Sequence, residues 1–274
     1  MTGPVVFLDS GIGGIPYCKD FIRRNPAEPV VYLADCKNFP YGKKKASDLV
    51  LILTELVEKL ISLFNPKMAV LACNTATVSA LCELRNAFPS LPFVGTVPAI
   101  KPAIQASRKK IIGVLGTERT IEDPYIDELA QQFGPCKIHG IAAPDLVEFV
   151  ETKNDSATPA EKTAMALPYL QRFRGLGADA IVLGCTHFLF LREEFCASAA
   201  PDIHVFDSLD GITGRIEYLL DKNSGALRAP AGSAVFRKMI VTGNESASSV
   251  WRNRARDMGF EMASISVKSK EIIR

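Results

Sequence analysis

"VLACNTAT" at residues 70–77 and "VLGCTHFL" at residues 182–189 follow one plan: an apolar run, a cysteine, and a threonine within the next two positions. An apolar β-branched run that stops at a polar residue and hands over to a helix is the mark of strand-helix units around a parallel sheet. In such sheets, ligands gather beyond the carboxyl ends of the strands. Cys73 and Cys185 both fall at that end. A chain that makes the same turn twice is expected to hold two similar halves, each delivering one sulfur.

The rest of the chain fits this plan. Strands are expected at residues 5–8, 30–34, 68–72, 111–115, 137–141, 180–183 and 204–206, with helical patterns between them. The clearest helix covers 46–64, where Leu49, Leu53, Leu56, Leu60 and Leu63 share a core-facing stripe while Glu55, Glu58 and Lys59 turn outward. "GTVPAIKP" at 95–102 and a turn at 203–207 interrupt the periodicity and read as crossovers between halves. After them come a helix to about residue 222, an irregular "KNSGALRAPAGS", a strand at 236–242, a helix at 247–258 and a final strand. A fainter echo links "FLDSGIGG" near the start to "VFDSLDG" at 205–211. The expected fold is α/β: two similar parallel-sheet domains in pseudo-symmetric arrangement around a cleft that holds the active site. One domain is residues 1–97 with 207–274, and the other is 98–206.

Composition excludes several classes. In 274 residues, Lys and Arg number 32 against 30 Asp and Glu, a net charge of +2, with the charges scattered along the chain. No phosphate-backbone footprint follows, so no nucleic-acid partner is expected. "MTGPVVFLDS" has no basic n-region, and no apolar run approaches the roughly 18 residues of a membrane span, so a soluble cytoplasmic protein is expected. Seven cysteines, an odd number, point to reduced thiols. Without a CxxC pair and with three histidines, a metal site is not expected.

A thiol at a helix N-terminus is favoured as thiolate by the amides and dipole there. A reduced cysteine also fills small gaps in cores. That second role is assigned to Cys18, Cys36, Cys82, Cys136 and Cys196, whereas the matching turns favour chemistry for Cys73 and Cys185. Asp9, in "LDSGIGG", is an acid at a strand tip with no packing reason to be there. Gly13 and Gly14 serve either an anion cradle or a tight turn, and neither GxGxxG nor GxxxxGK[ST] is present. "YLADCKNFPYGKK" at 32–44 repeats strand and acid (Asp35), then a turn shaped by Pro40 and Gly42 that presents Tyr41. His187 opens the helix after Cys185, within reach of the same pocket. His139 and His204 lie in strand patterns and read as satisfied core or edge residues.

Five ordered motifs, "DSGIGG", "FPYG", "ACNTAT", "GTVPAIKPA" and "LGCTHF", resemble the glutamate racemases of the cofactor-independent aspartate/glutamate racemase superfamily. The resemblance extends to about residue 207, and more loosely through "VTGNESASSVW". It implies that Cys73 and Cys185 face each other across a substrate α-carbon, one removing a proton and the other returning one. Asp9 is then the partner of Cys73, and His187 and Glu151 assist Cys185. Ser10, Pro40, Tyr41, Gly42, Asn74, Thr75 and Thr186, with Asp9 and His187, match positions that hold the amino acid. Thr117 and Thr120 match further pocket positions. The family often has Cys where Ala143 stands, Gly where Arg119 stands, and Ser or Gly where Asp123 stands, so the loop bearing Arg119 and Asp123 is where pocket detail is expected to differ.

No cofactor is implied, and no lysine stands at a strand end in the company a pyridoxal Schiff base needs. The implied partner is a small amino acid, glutamate, and the implied role is D-glutamate supply for peptidoglycan. A homodimer is compatible with the sequence, which does not fix the oligomeric state. Three other readings stay open from the residues: racemisation of aspartate or another amino acid, a two-lobed protein that binds an amino acid without chemistry, and a redox pair.

Overall fold

The computed structural model describes residues 3–225, 227–230, 232, 235–244 and 248–263. A first parallel sheet is built from β1 (Val5–Asp9), β2 (Val30–Ala34), β3 (Met68–Leu71), β4 (Phe93–Gly95), β9 (Arg237–Val241) and β10 (Glu261–Ala263), in the order β10-β9-β2-β1-β3-β4. A second holds β5 (Ile111–Gly116), β6 (Lys137–Ala142), β7 (Ala180–Leu183) and β8 (His204–Phe206), in the order β6-β5-β7-β8. Every strand pair in both is parallel.

Set side by side, the run β2-β1-β3-β4 of the first sheet has the same order as β6-β5-β7-β8. In each half the second strand lies on one side of the first, and the third and fourth lie on the other. The chain therefore reverses its winding between the first and third strands of each half, the switch point at which an open α/β sheet leaves a crevice. Asp9 ends β1 and Cys73 follows β3. In the second half, Thr117 follows β5 and Cys185 follows β7. The echo between "FLDSGIGG" and "VFDSLDG" is not a structural repeat, because β8 is the counterpart of β4 and the counterpart of β1 is β5.

Helices α1 (Ile15–Arg24), α2 (Ala46–Phe64) and α3 (Asn74–Ala87) connect the first strands. The second half contains α4 (Ile100–Ala106), α5 (Glu118–Glu122), α6 (Tyr125–Gln131), α7 (Pro144–Lys153), α8 (Pro159–Gly175) and α9 (Arg192–Ala199), with α10 (Leu209–Gly225) and α11 (Ser249–Asp257) after β8. Local signals set several boundaries: α8 starts with a capping box between Thr158 and Glu161 and has Pro159 in its first turn, where a missing N–H costs nothing. Strand alternation divides the core. Val6 and Leu8 pack toward α2 and α3, whereas Val5 and Phe7 join a cluster that continues through Ile12 and Ile15 to Leu115, Val147, Leu183 and Phe188 in the second half. Tyr17 on α1 shares a 2.7 Å hydrogen bond with Ser208, just beyond β8. The halves thus meet over a continuous apolar contact.

Several expectations need correction. Leu63 is 57% exposed, since a seven-residue spacing drifts about 20° per repeat on a 3.6-residue helix, and Val57 is buried in the stripe instead. The three-residue β4 had no expectation, because "PFVGTVP" is framed by breakers. Cys82 is exposed on α3, not packed in a gap. His139 and His204 lie on the edge strands β6 and β8, and His139 Nε2 is buried with no hydrogen-bond partner among the described residues, unlike the satisfied histidine expected. Residue 247, where the last helix was expected to begin, and part of "KNSGALRAPAGS" lie outside the described residues.

Candidate active site

A cavity of about 470 Å³ opens between the carboxyl edges of the two sheets. Cys73 and Cys185 both line it, one from each half. Each is the N-cap of the helical turn it starts, with nearly the same backbone: φ −149° and ψ 119° at Cys73, φ −137° and ψ 136° at Cys185. The first turn leads into α3 and the second into a 3₁₀ turn, Thr186–Leu191, rather than an α-helix. Both thiols are buried, at 6% and 5% exposure, so charge that develops between them is poorly screened.

The groups behind each sulfur differ. Behind Cys185, His187 Nδ1 is 3.7 Å from Sγ and Nε2 is 2.7 Å from Glu151 Oε1. Burial alone would push the imidazolium down, but hydrogen bonds to Cys185 and Glu151 and their charges raise it well above an ordinary histidine. Glu151 is pushed up by burial and pulled down further by His187 and by the Ile12 amide, which donates to Oε1 at 2.8 Å, so its carboxyl ends below the usual range. Behind Cys73, burial and then the Asp9 charge raise the thiol well above its ordinary value, against amide hydrogen bonds from Ala76 and Thr75. Asp9 itself is fully buried, and burial raises its carboxyl from 3.8 to about 6 despite His187. Its oxygens accept from the Gly11 amide at 2.7 Å and the Thr186 hydroxyl at 3.2 Å.

Glycines in the loop after β1 are explained by what they touch. A Cβ on Gly11 would lie 1.9 Å from Glu151 Oε1, and one on Gly13 would lie 2.4 Å from Thr186 Oγ1 and 2.6 Å from His187 Nδ1. Gly13 and Gly14 are not among the residues with positive φ, so neither serves a left-handed turn. The loop is bare so that the second half can press its histidine and glutamate against it.

Ser10, Pro40, Gly42, Asn74, Thr75, Thr117 and Thr186 line the cavity, and Thr75 and Thr117 share a 3.0 Å hydroxyl hydrogen bond between the halves. Thr117 caps α5 by accepting from the Thr120 amide. Thr120, Asp9 and Glu151 do not reach the lining. Tyr41 lines the cavity with its ring, but its hydroxyl donates to Asp35 Oδ2 at 2.7 Å. Thr242 and Asn38 also donate to Asp35, so this carboxylate anchors the whole FPYG turn. Arg119 and Asp123 pair with each other at 3.8 Å and stay off the lining. Sequence reasoning missed the apolar wall of Phe39, Pro144 and Val147 and the charged rim of Lys43, Glu118, Asp145 and Glu148. Pro144 and Asp145 open α7 directly after β6, so the carboxyl-edge rule applied to that strand would have found them.

Residues 18–212 match the model of the Asp/Glu/Hydantoin racemase family. The chain belongs to that family. Among members of this racemase family, a glutamate racemase of Sphingopyxis alaskensis is 39% identical over 240 residues, 86% of this chain and 88% of that protein. One of Treponema pallidum is 39% identical over 210 residues, 76% and 78% of the two chains. The crystal structure of Escherichia coli glutamate racemase, in complex with L-glutamate and an activator, superposes with a TM-score of 0.80 at 28% identity, covering 97% of this chain and all of that one. The racemase fold is thus reproduced over both halves. No helix among the described residues is long and apolar enough to cross a membrane.

Proposed function

We propose that this protein is a glutamate racemase that interconverts L- and D-glutamate by two thiols, without a cofactor. The observation that carries the reading is the pair of cysteines, Cys73 and Cys185, offered to one cavity by matching turns from opposite halves. Inverting a carbon needs a base on one side and an acid on the other, and two copies of a strand-cysteine-helix unit supply one each. The lobes are taken as residues 1–97 with 207–274, and 98–206. The contact of α10 with α1 and β4 supports returning the chain after 207 to the first lobe.

In this mechanism, one sulfur as thiolate removes the α-proton while the other as thiol donates from the far side, and the roles exchange in the reverse direction. Asp9 serves Cys73, and His187, held by Glu151, serves Cys185. Thr75, Thr117, Thr186, Asn74 and Ser10 hold the α-amino and α-carboxylate groups, and their preorganised hydroxyls and amides stabilise the charge that develops at the carbon. The tight contact of the loop after β1 with Thr186 and His187 excludes water from behind the site. Acting in the cytoplasm, the enzyme would supply D-glutamate for cell-wall peptidoglycan.

Incubation of the protein with L-glutamate in deuterated water tests the reading. D-glutamate carrying deuterium at the α-carbon is expected, and absence of label with either enantiomer would overturn the proposal. Turnover confined to aspartate would overturn the choice of substrate while leaving the two-thiol chemistry.

A further inference from the structure

We propose that Arg254 is a positioning residue for the Cys185 side of the reaction: it fastens the end of α7 to the first half through Asp155, and it sets its cation on a cavity wall shared with Glu151, the carboxylate that holds His187. The proposal rests on the racemase reading for what Cys185 and His187 do. A second cavity of about 480 Å³ is lined by Ser10, Gly11, Phe39, Glu151, Trp251 and Arg254 among others. Ser10 and Phe39 line the active-site cavity as well, so the two cavities share a wall. The Phe39 ring also stands 6.3 Å from the His187 ring. Glu151 therefore faces two ways. Its Oε1 meets His187 and the Ile12 amide, while its side chain borders the second cavity together with Arg254.

One guanidinium here serves two carboxylates. Glu151 and Asp155 are four residues apart, and Asn154 between them keeps a helical backbone (φ −51°, ψ −41°), so both project from one side of α7 and its continuation. Arg254, on α11 of the first half, meets that side: its Nε and Nη2 each lie 3.0 Å from Asp155 Oδ2. The guanidinium rests over the ring of buried Trp251, 5.1 Å from the centroid. The Arg254 side chain is only 14% exposed, so its charge is less screened than that of a surface cation. Glu151 is faced by Asp9 from the end of β1, Tyr32 from β2, His187 from the 3₁₀ turn and Arg254 from α11, with Asp155 just past its own helix. Of these, Arg254 is the one cation that keeps its proton at any working pH. Burial pushes the Glu151 carboxyl up, and His187, the Ile12 amide and Arg254 together bring it below the usual range. Without Arg254, the carboxylates of Asp9 and Asp155 stay behind, and both oppose a charge on Glu151.

The test compares wild type with Arg254→Gln, Arg254→Lys and Asp155→Asn, and with Arg252→Gln as a control at an exposed position of the same helix. Steady-state kinetics give kcat and KM for glutamate across pH. Carbon NMR of protein labelled at its glutamate carboxyls follows the Glu151 signal, identified by its absence in Glu151→Gln. Arg254→Gln is expected to lower kcat by up to about 10²-fold with KM little changed. It should also move the acidic limb of the kcat profile and the Glu151 titration to higher pH, by about one unit. Arg254→Lys keeps the cation and should hold both near wild type, and Arg252→Gln should change nothing. Asp155→Asn breaks the clasp but removes a negative charge, so it should lower kcat without an upward shift of either midpoint. Wild-type kcat in Arg254→Gln, a loss of kcat with neither midpoint moved, or an equal upward shift in Asp155→Asn would overturn the proposal. The two readings fail separately: a Glu151 titration that follows Arg254 in a protein that never racemises glutamate refutes the racemase, whereas turnover and titration indifferent to Arg254 refute only the positioning role.

Discussion

Replacing Gly11 by alanine would put a methyl carbon 1.9 Å from Glu151 Oε1 and 2.7 Å from its Cδ. The carboxylate is not a free end that can swing aside. Its Oε1 accepts from the Ile12 amide at 2.8 Å and contacts His187 Nε2 at 2.7 Å. Either Glu151 withdraws and gives up bonds to a charged group worth about 1.5–3 kcal/mol each, or the loop lifts away from the second half at a comparable overpacking cost of about 1–3 kcal/mol. Both routes lower stability, and each kcal/mol corresponds to about 2–4 °C of Tm in a chain of this size class. The assay is urea denaturation of wild type, Gly11→Ala, Glu151→Ala and the double variant. Trimming Glu151 vacates the space the methyl needs, so the double variant should be more stable than the two single losses summed, by about 1 kcal/mol or more. Turnover of Gly11→Ala should fall as well, since His187 loses its anchor. Wild-type stability in Gly11→Ala, or additivity within about 0.5 kcal/mol, would refute the account of why this loop is bare.

Three further outcomes are expected. Cys73→Ser and Cys185→Ser should each lower glutamate racemisation by about 10²–10⁴-fold while circular dichroism shows the fold intact; a variant with near-normal turnover would remove its thiol from the mechanism. Asp9, whose carboxyl is raised from 3.8 to about 6, binds its proton more tightly folded than unfolded. Its contribution to stability is therefore complete below pH 3.8 and is lost as pH rises through 6, a decline of order 3 kcal/mol that Asp9→Asn should abolish in denaturation curves taken across that window. Thr117→Val should cost about 1 kcal/mol through loss of the cap on the Thr120 amide and should raise KM for glutamate through loss of the Thr75 contact, with Thr117→Ser restoring both; an unchanged KM would remove Thr117 from the substrate-holding groups.

Much of this architecture was legible in the sequence because it is local. The runs that became β2, β7, β8 and α2 carry their own periodicity and punctuation, and both cysteine turns announce themselves as strand ends. The family resemblance, through the motifs bearing Asp9 and His187 and through "DLVEFVE" for Glu151, brought these three together, which spacing alone would not, since Glu151 and His187 are 36 residues apart and Thr186 and Asp9 are 177 apart. What stayed hidden was tertiary. Gly13 read equally well as turn or cradle until His187 was seen against it. Tyr41 offers a hydroxyl in sequence, but Asp35 takes it in the fold. The apolar wall at Phe39 and Val147 has no pattern of its own, because its members meet only across the cleft.

The shared strand order gives the two cysteines equivalent stations, yet their backing groups, a carboxyl on one side and an imidazole with its glutamate on the other, are unlike. Mirror-image amino acids have identical free energies in water, so a catalyst that interconverts them must have the same kcat/KM for both hands whatever its own asymmetry. The mismatch between Asp9 and His187 can surface only where that constraint does not reach: in kcat and KM taken singly, and in the pH at which each direction switches on. Comparing those profiles for the two enantiomers would read the handedness of the protein through a reaction that has none.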